Sequence, residues 1–255
     1  MNLIIGRKPV LEALNSDEEI SQVYILYGQE GGIVEAIRVA AKKKGIKVNQ
    51  VPFEKFRQIT QSKIAQGVAA VKSSQKYYTL QEIIESAKLK TSKALSLGEG
   101  KGEAFPLILI LDSIQDTHNV GAILRTADCS GVDGVLITKN NSAPINETVV
   151  KTSAGASEHV KIAQINNLAQ TIDELKQNGF WIIGSYLEGA KDYTTIDYKI
   201  PIAVIVGNEE KGIRKLTADK CDHLICIPMK GKIQSLNVSV ATGVLLFEIL
   251  RQRNN

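Results

Sequence analysis

Five consecutive apolar residues, Leu107-Ile108-Leu109-Ile110-Leu111, run directly into Asp112. A strand with one face in water alternates apolar and polar residues. An unbroken run marks a strand covered on both faces, the situation of parallel strands between helical layers. Residues 202–206 (IAVIV) have the same character, and residues 134–137, 160–165, 180–185 and 224–227 read as further strands. Helical spacing falls between them at residues 120–129, 146–153 and 168–177, in a short piece after Gly212, and at the end of the chain. From Pro106 onward the expectation is therefore an α/β fold, an open and mostly parallel sheet with helices on both faces. Ligands in such sheets lie beyond the carboxyl ends of the strands, so the polar loops there are the candidates for chemistry.

The first third alternates on a smaller scale. A short helix opens at Pro9, strands are expected at 20–27, 47–51 and 67–71, and helices at 33–44, stopped by Gly45, and 53–59. Residues 77–97 read as one helix, followed by the glycine-rich, charged run SLGEGKGEAFP. Three segments follow: a small α/β domain over 1–75, a helix and flexible linker over 76–105, and the larger sheet over 106–255.

Residues 1–75 hold eleven Lys or Arg against seven Asp or Glu, while residues 106–255 hold fifteen against sixteen. The basic excess, including Lys42-Lys43-Lys44 and Lys47, permits a domain that faces nucleic acid, and equally a solvated helix end. The composition, 44% hydrophobic and 23% charged, is that of a soluble globular protein, and no membrane-spanning run or secretory signal is legible. Three cysteines form no CxxC pair, and none of the three histidines has a partner four residues on. A disulfide framework, a metal site and a membrane partner are thus not expected, and a cytoplasmic location is.

Three loops stand apart. In the first, Asp116, His118 and Asn119 form a helix-opening cluster, Gly121 allows close backbone approach, and Arg125 lies about 240° around the helix from Asn119. In the second, VIVGNEEKGI (204–213), the glycine spacing mimics a phosphate loop. Ile213-Arg214 stand where Lys-Ser or Lys-Thr would be needed, and Glu209-Glu210 would repel a triphosphate, so nucleotide hydrolysis is excluded. The third is KGKIQSLN (230–237), which enters the last helix, with Asn237 or Ser235 as N-cap. In that helix Val240, Val244, Phe247 and Leu250 would form one apolar stripe, with Ala241, Leu245 and Ile249 beside it. No GxGxxG fingerprint, Ser-His-Asp or Cys-His set is legible. The residues alone leave a two-domain α/β protein whose ligand site is built from three loops, its chemistry open.

Taken together, DTHNVGAILRTAD (116–128), VIVGNEEKGI (204–213) and IPMKGKIQSLNVSVATG (227–243) resemble, in order, the three motifs of the SpoU branch of the SPOUT superfamily. These are RNA ribose 2′-O-methyltransferases with a trefoil-knotted domain. GRKPVLEAL (6–14) is similar to the entry of the small RNA-binding domain in the subgroup that methylates a guanosine of large-subunit ribosomal RNA. The resemblance implies S-adenosylmethionine as cofactor, held mainly by backbone at Gly207, Ile227 and Leu236. It places Asn119, Arg125, Glu209, Ser235 and Asn237 at the polar active-site positions and implies a homodimer acting on ribosomal RNA. Transfer RNA as substrate, or a non-catalytic ribosome assembly factor on the same scaffold, are the alternatives. Thr117 departs from the proline found in many members after the aspartate; it relaxes a preset φ but removes no functional group.

Overall fold

The computed structural model of this chain describes all residues except 1–2, 17, 19, 62–65, 73–75, 98–104, 209–211, 233–234 and 255, with only the backbone described for 91–97. It divides into two compact units, residues 1–76 with 144–146, and residues 77–143 with 147–255.

The small unit runs β1 (Leu3–Ile5), α1 (Arg7–Asn15), β2 (Ile20–Leu26), α2 (Gly32–Lys43), β3 (Lys47–Val51), α3 (Phe53–Thr60) and β4 (Val68–Lys72). The strands lie in the order β1-β4-β2-β3, antiparallel except for the β2–β3 pair. Branched residues on one face of β2, Val23 and Ile25, pack with Val10 and Leu14 of α1 and Ile37 of α2. The strand β1 was not among the expected elements: three residues are too few to carry a period. Gly45, at φ 67°, ends α2 as its position predicts.

The larger unit contains β5 (Tyr77–Tyr78), α4 (Leu80–Leu97), β6 (Leu107–Leu111), α5 (Thr117–Cys129), β7 (Gly134–Thr138), α6 (Glu147–Thr152) and β8 (Ile162–Ile165). Then follow α7 (Leu168–Gln177), β9 (Trp181–Ser185), β10 (Lys191–Asp192), β11 (Ile202–Val206), α8 (Lys215–Ala218), β12 (His223–Cys226) and α9 (Val238–Asn254). Its strands lie in the order β10-β12-β9-β11-β6-β7-β8-β5, and every recorded pairing is parallel. All five residues of β6 are buried, as the unbroken run requires, with Ile108 and Ile110 in the cluster that also holds Ile172 and Ile182.

One expectation needs correction. The helix expected over 77–97 starts only at Leu80, because Tyr77 and Tyr78 pair with Ile162 and Ala163 as an edge strand. Thr79 stops the strand by a reciprocal cap: its backbone N–H donates to the Glu82 carboxylate at 2.7 Å, and the Glu82 N–H donates to its hydroxyl at 3.2 Å. Ile83 and Ile84 lie in the core, and a Cβ on Gly134 would come within 2.4 Å of Ile83, so that glycine makes its seat. The glycine-rich run at 98–104 lies outside the described residues.

In α9 the structure chooses between two open alternatives. Its buried residues are Val238, Thr242, Leu245, Leu246, Ile249 and Arg253, whereas Val240 is 52% and Phe247 49% exposed, with Val244 and Leu250 only partly covered. The expected stripe, free to pack on its own domain or on a second subunit, is thus the more exposed side of the helix. The helix is apolar around most of its circumference, so the period alone could not choose the face.

Candidate active site

The chain leaves β6 for β7 and β8 on one side of the sheet and then returns to build β9, β10, β11 and β12 on the other. The direction of winding reverses between the neighbours β6 and β11, and their carboxyl ends form the switch point where a crevice opens. The first and second loops start there.

Loop one leaves β6 at Asp112, which is 1% exposed, and turns through Ser113 at φ 62°. Asp112 accepts hydrogen bonds from Ser113 Oγ at 3.0 Å and from Arg214 Nη2 at 3.1 Å. Arg214 is the N-cap residue of α8, just past loop two. A second tie joins the same loops: Asn208 Nδ2 donates to the Ser113 carbonyl at 3.3 Å. Neither tie was foreseen, although an aspartate directly after five apolar residues was a signal. A carboxylate there must be buried, and a buried carboxylate needs a donor.

Asp116 caps α5, its carboxylate accepting the His118 N–H at 2.8 Å and approaching Asn119 Nδ2 at 3.4 Å. Asn119 is buried, and its carbonyl oxygen accepts from Asn237 Nδ2 at 3.0 Å. Asn237 in turn caps α9: its side-chain oxygen accepts from Ser239 N at 2.9 Å, and its backbone carbonyl from Ala241 N at 2.9 Å. One side chain therefore starts the last helix and reaches loop one, 118 residues away. Ser235 and Leu236 are exposed on the approach to it. Arg125 is on the exposed side of α5, and Gly121 meets α6, where a Cβ would come within 3.0 Å of the Val149 carbonyl. The close approach at Gly121 is helix on helix.

Loop two is pinched at its base. Gly212 N donates to the Asn208 carbonyl at 2.7 Å, and a Cβ on Gly207 would lie 2.1 Å from the Gly212 carbonyl carbon. Only glycine fits at 207. Glu209 lies outside the described residues. Ile227, just past β12, stands at the same end of the sheet, two strands from Gly207. Among the described residues no cluster of three or more His, Cys, Asp or Glu could hold a metal ion. The three expected loops share one end of the sheet, and side-chain hydrogen bonds join one to two and one to three.

Known proteins carry the same pattern. A family described as the SpoU rRNA Methylase family matches residues 106–247, and one described as RNA 2′-O ribose methyltransferase substrate binding matches residues 3–78. The chain is 36% identical over 251 residues to YacO of Bacillus subtilis, provisionally designated a TrmH family tRNA/rRNA methyltransferase, covering 98% of this chain and 96% of that protein. Its fold is similar to the crystal structure of an AdoMet-bound rRNA methyltransferase from Sinorhizobium meliloti, at TM-score 0.61 and 27% identity, covering 98% of this chain and 87% of that one. It is also similar to a TrmH/SpoU tRNA modifying enzyme of A. aeolicus, at TM-score 0.55 and 32% identity, over 68% of this chain and 82% of that one.

Proposed function

The chain belongs to the SpoU rRNA Methylase family, and on that premise we propose that it transfers a methyl group from S-adenosylmethionine to a ribose 2′-hydroxyl of RNA, with a guanosine of 23S ribosomal RNA as target. The observation that carries the reading is the Asn119–Asn237 hydrogen bond, which joins the first and third motifs beside the switch point at 3.0 Å. The SpoU rRNA Methylase match and the similarity to the S. meliloti rRNA methyltransferase support ribosomal RNA, and the similarity to the A. aeolicus enzyme supports transfer RNA as the second reading. The test is transfer of labelled methyl to purified ribosomal and transfer RNA, followed by mapping of the modified ribose. Label on transfer RNA alone selects the second reading, and label on neither selects a non-catalytic assembly factor.

The residues present suit this cofactor. Loop two has no room for a side chain at Gly207, and Leu236 is an apolar side chain 36% exposed beside the polar entry to α9. Gly207, Ile227 and Leu236 would hold it by backbone and apolar contact. When bound, S-adenosylmethionine supplies a methyl group on a cationic sulfur. The protein's own tasks are to align the hydroxyl and to let its proton leave.

Asn119, Ser235 and Asn237 orient the nucleotide with Glu209. Arg125 grips the phosphate beside the target ribose, and that phosphate receives the proton. A guanidinium is a poor base but a good two-pronged clamp. The Gly207→Ala substitution is expected to weaken cofactor binding at least tenfold by calorimetry while circular dichroism stays native. The new methyl must displace the Gly212 backbone, which lies 2.1 Å away. Unchanged affinity would remove loop two from the cofactor site.

The knotted path implied by the resemblance is part of the same proposal, as is a homodimer. The Val240, Val244, Phe247 and Leu250 stripe of α9, exposed at Val240 and Phe247, supports the dimer, since exposed apolar surface marks an interaction site and a twofold interface pairs one patch with its own copy. Sedimentation of Val240→Asp/Phe247→Asp is expected to give a monomer where the parent chain gives a dimer. A dimer in both chains would put the interface elsewhere.

A further inference from the structure

One end of the small sheet carries features that no part of the proposed methyl-transfer site uses. Strand pairing brings together there the start of α1, the entry to β4 and the exits of β2 and β3. Gly6 N donates to the Val68 carbonyl, Leu26 N to the Gly67 carbonyl and Tyr27 N to the Val51 carbonyl, at 2.9, 2.8 and 3.0 Å. A cavity of about 830 Å³ opens at this end, lined by Gly6, Arg7, Lys8, Gln29, Gln66 and Gly67 among others. Its volume falls within the range of small-ligand pockets, roughly 300–1,000 Å³.

The cavity is built from hydrogen-bonded polar groups. Arg7 donates from Nη2 to Gln29 Oε1, from Nε to the Gln66 carbonyl at 3.2 Å, and from its backbone N to Gln66 Oε1 at 3.3 Å. Both glutamine oxygens are turned to Arg7, so each amide NH2 is a donor for something else. Gly67, at φ 70°, makes room for this: a Cβ there would come within 2.5 Å of Gln29 Cδ. At the same end of the sheet two aromatic side chains stand in water, Tyr27 just past β2 at 59% and Phe53 at the start of α3 at 61% exposure.

Charge decides what this edge takes. Arg7, Lys8 and Lys55 stand against Glu30 and Glu54, so the edge is nearly neutral. The Lys42–Lys44 and Lys47 cluster flagged by composition lies at the opposite end of the sheet, where α2 ends and β3 begins. A duplex backbone needs phosphate neutralisation, which this edge supplies poorly. Amide donors and exposed rings instead match the edge and the face of an unstacked base.

We propose that the Tyr27–Phe53 edge and the Arg7–Gln29–Gln66 cavity of the small unit capture an unpaired nucleotide of the RNA, stacking its base and bonding its polar edge. This rests on the reading of the chain as an RNA methyltransferase and names the RNA feature that its small unit selects.

The probe is an RNA hairpin with 2-aminopurine in its loop, titrated against the full chain, with a fully paired duplex of the same stem as comparison. The parent chain is expected to bind the hairpin with a change in 2-aminopurine fluorescence. Tyr27→Ala and Phe53→Ala should each weaken hairpin binding about tenfold, and the double variant more, as loss of base stacking does. Duplex binding and cofactor binding should be unchanged. Both rings are exposed, so folding is not at risk. Gly67→Ala, which crowds Gln29, is a second variant expected to act in the same direction. Undiminished hairpin affinity in the double variant, or an equal loss on hairpin and duplex, overturns the proposal. Labelled methyl transfer by the parent chain is measured alongside. Its absence defeats the methyltransferase reading, while transfer together with unaffected hairpin binding in the variants defeats the captured nucleotide alone.

Discussion

Arg125→Lys is expected to slow methyl transfer about 100-fold at saturating RNA, with cofactor affinity unchanged. Lysine keeps the charge but loses the planar fork that holds a phosphate by two parallel bonds. Misplacing the ribose by about an ångström is enough for a loss of this size. The exposed position of Arg125 on α5 makes a folding defect a poor explanation of such a loss. Single-turnover rates across pH give the test. If the clamped phosphate accepts the proton, the variant lowers the whole profile without moving its inflection. A near-normal rate in Arg125→Lys would falsify the clamp, and a shifted inflection would make the arginine itself the titrating group.

Arg253→Ala is expected to destabilise the larger unit by about 3–5 kcal/mol, because it leaves a cavity and buried carbonyls without donors. Its Nε donates to the Tyr198 carbonyl at 3.0 Å, and its Nη2 to those of Ile200 and Pro106 at 3.0 and 3.3 Å, while Nη1 reaches Phe105 at 2.5 Å. These carbonyls precede β6 and β11, so the end of α9 ties together the entries of the two strands whose exits make the site. Burial lowers the pKa of Arg253 to about 10, which still leaves it charged at neutral pH. A drop in melting temperature of roughly 10 °C or more is expected at this chain length. A change under about 1 kcal/mol would mean that water replaces the guanidinium. Arg253→Lys should fall between, since one ammonium cannot reach all four acceptors.

Much of the frame was legible in order along the chain. Unbroken runs such as 107–111 and 202–206 identify buried parallel strands because burial on both faces leaves no polar positions. Gly45 identifies a helix end through its positive φ. The three loops could be picked out because polar residues at strand exits have no packing reason to be there. Tyr77–Tyr78 was misassigned because two residues cannot show a period, and β strands of that length exist only by pairing with a neighbour. The stripe of α9 could have packed on its own domain or on a second subunit, and the period could not choose between them. A helix with apolar residues nearly all round can turn either face to its domain, and Thr126 of α5, whose Cγ2 lies 3.8 Å from where a Gly243 Cβ would be, helps select it.

The amino-acid sequence by itself therefore determined the local matters: which segments are strands, where helices stop, and which loops carry polar groups, because each depends on residues a few positions apart. The tertiary structure alone decided the pairings across the chain. Asn119 with Asn237, Asp112 with Arg214, and Arg253 with the carbonyls around 105 and 200 unite groups separated by 118, 102 and up to 148 positions. No period reaches that far. Such contacts exist only once the sheet has reversed its winding between β6 and β11 and brought distant loops to one edge.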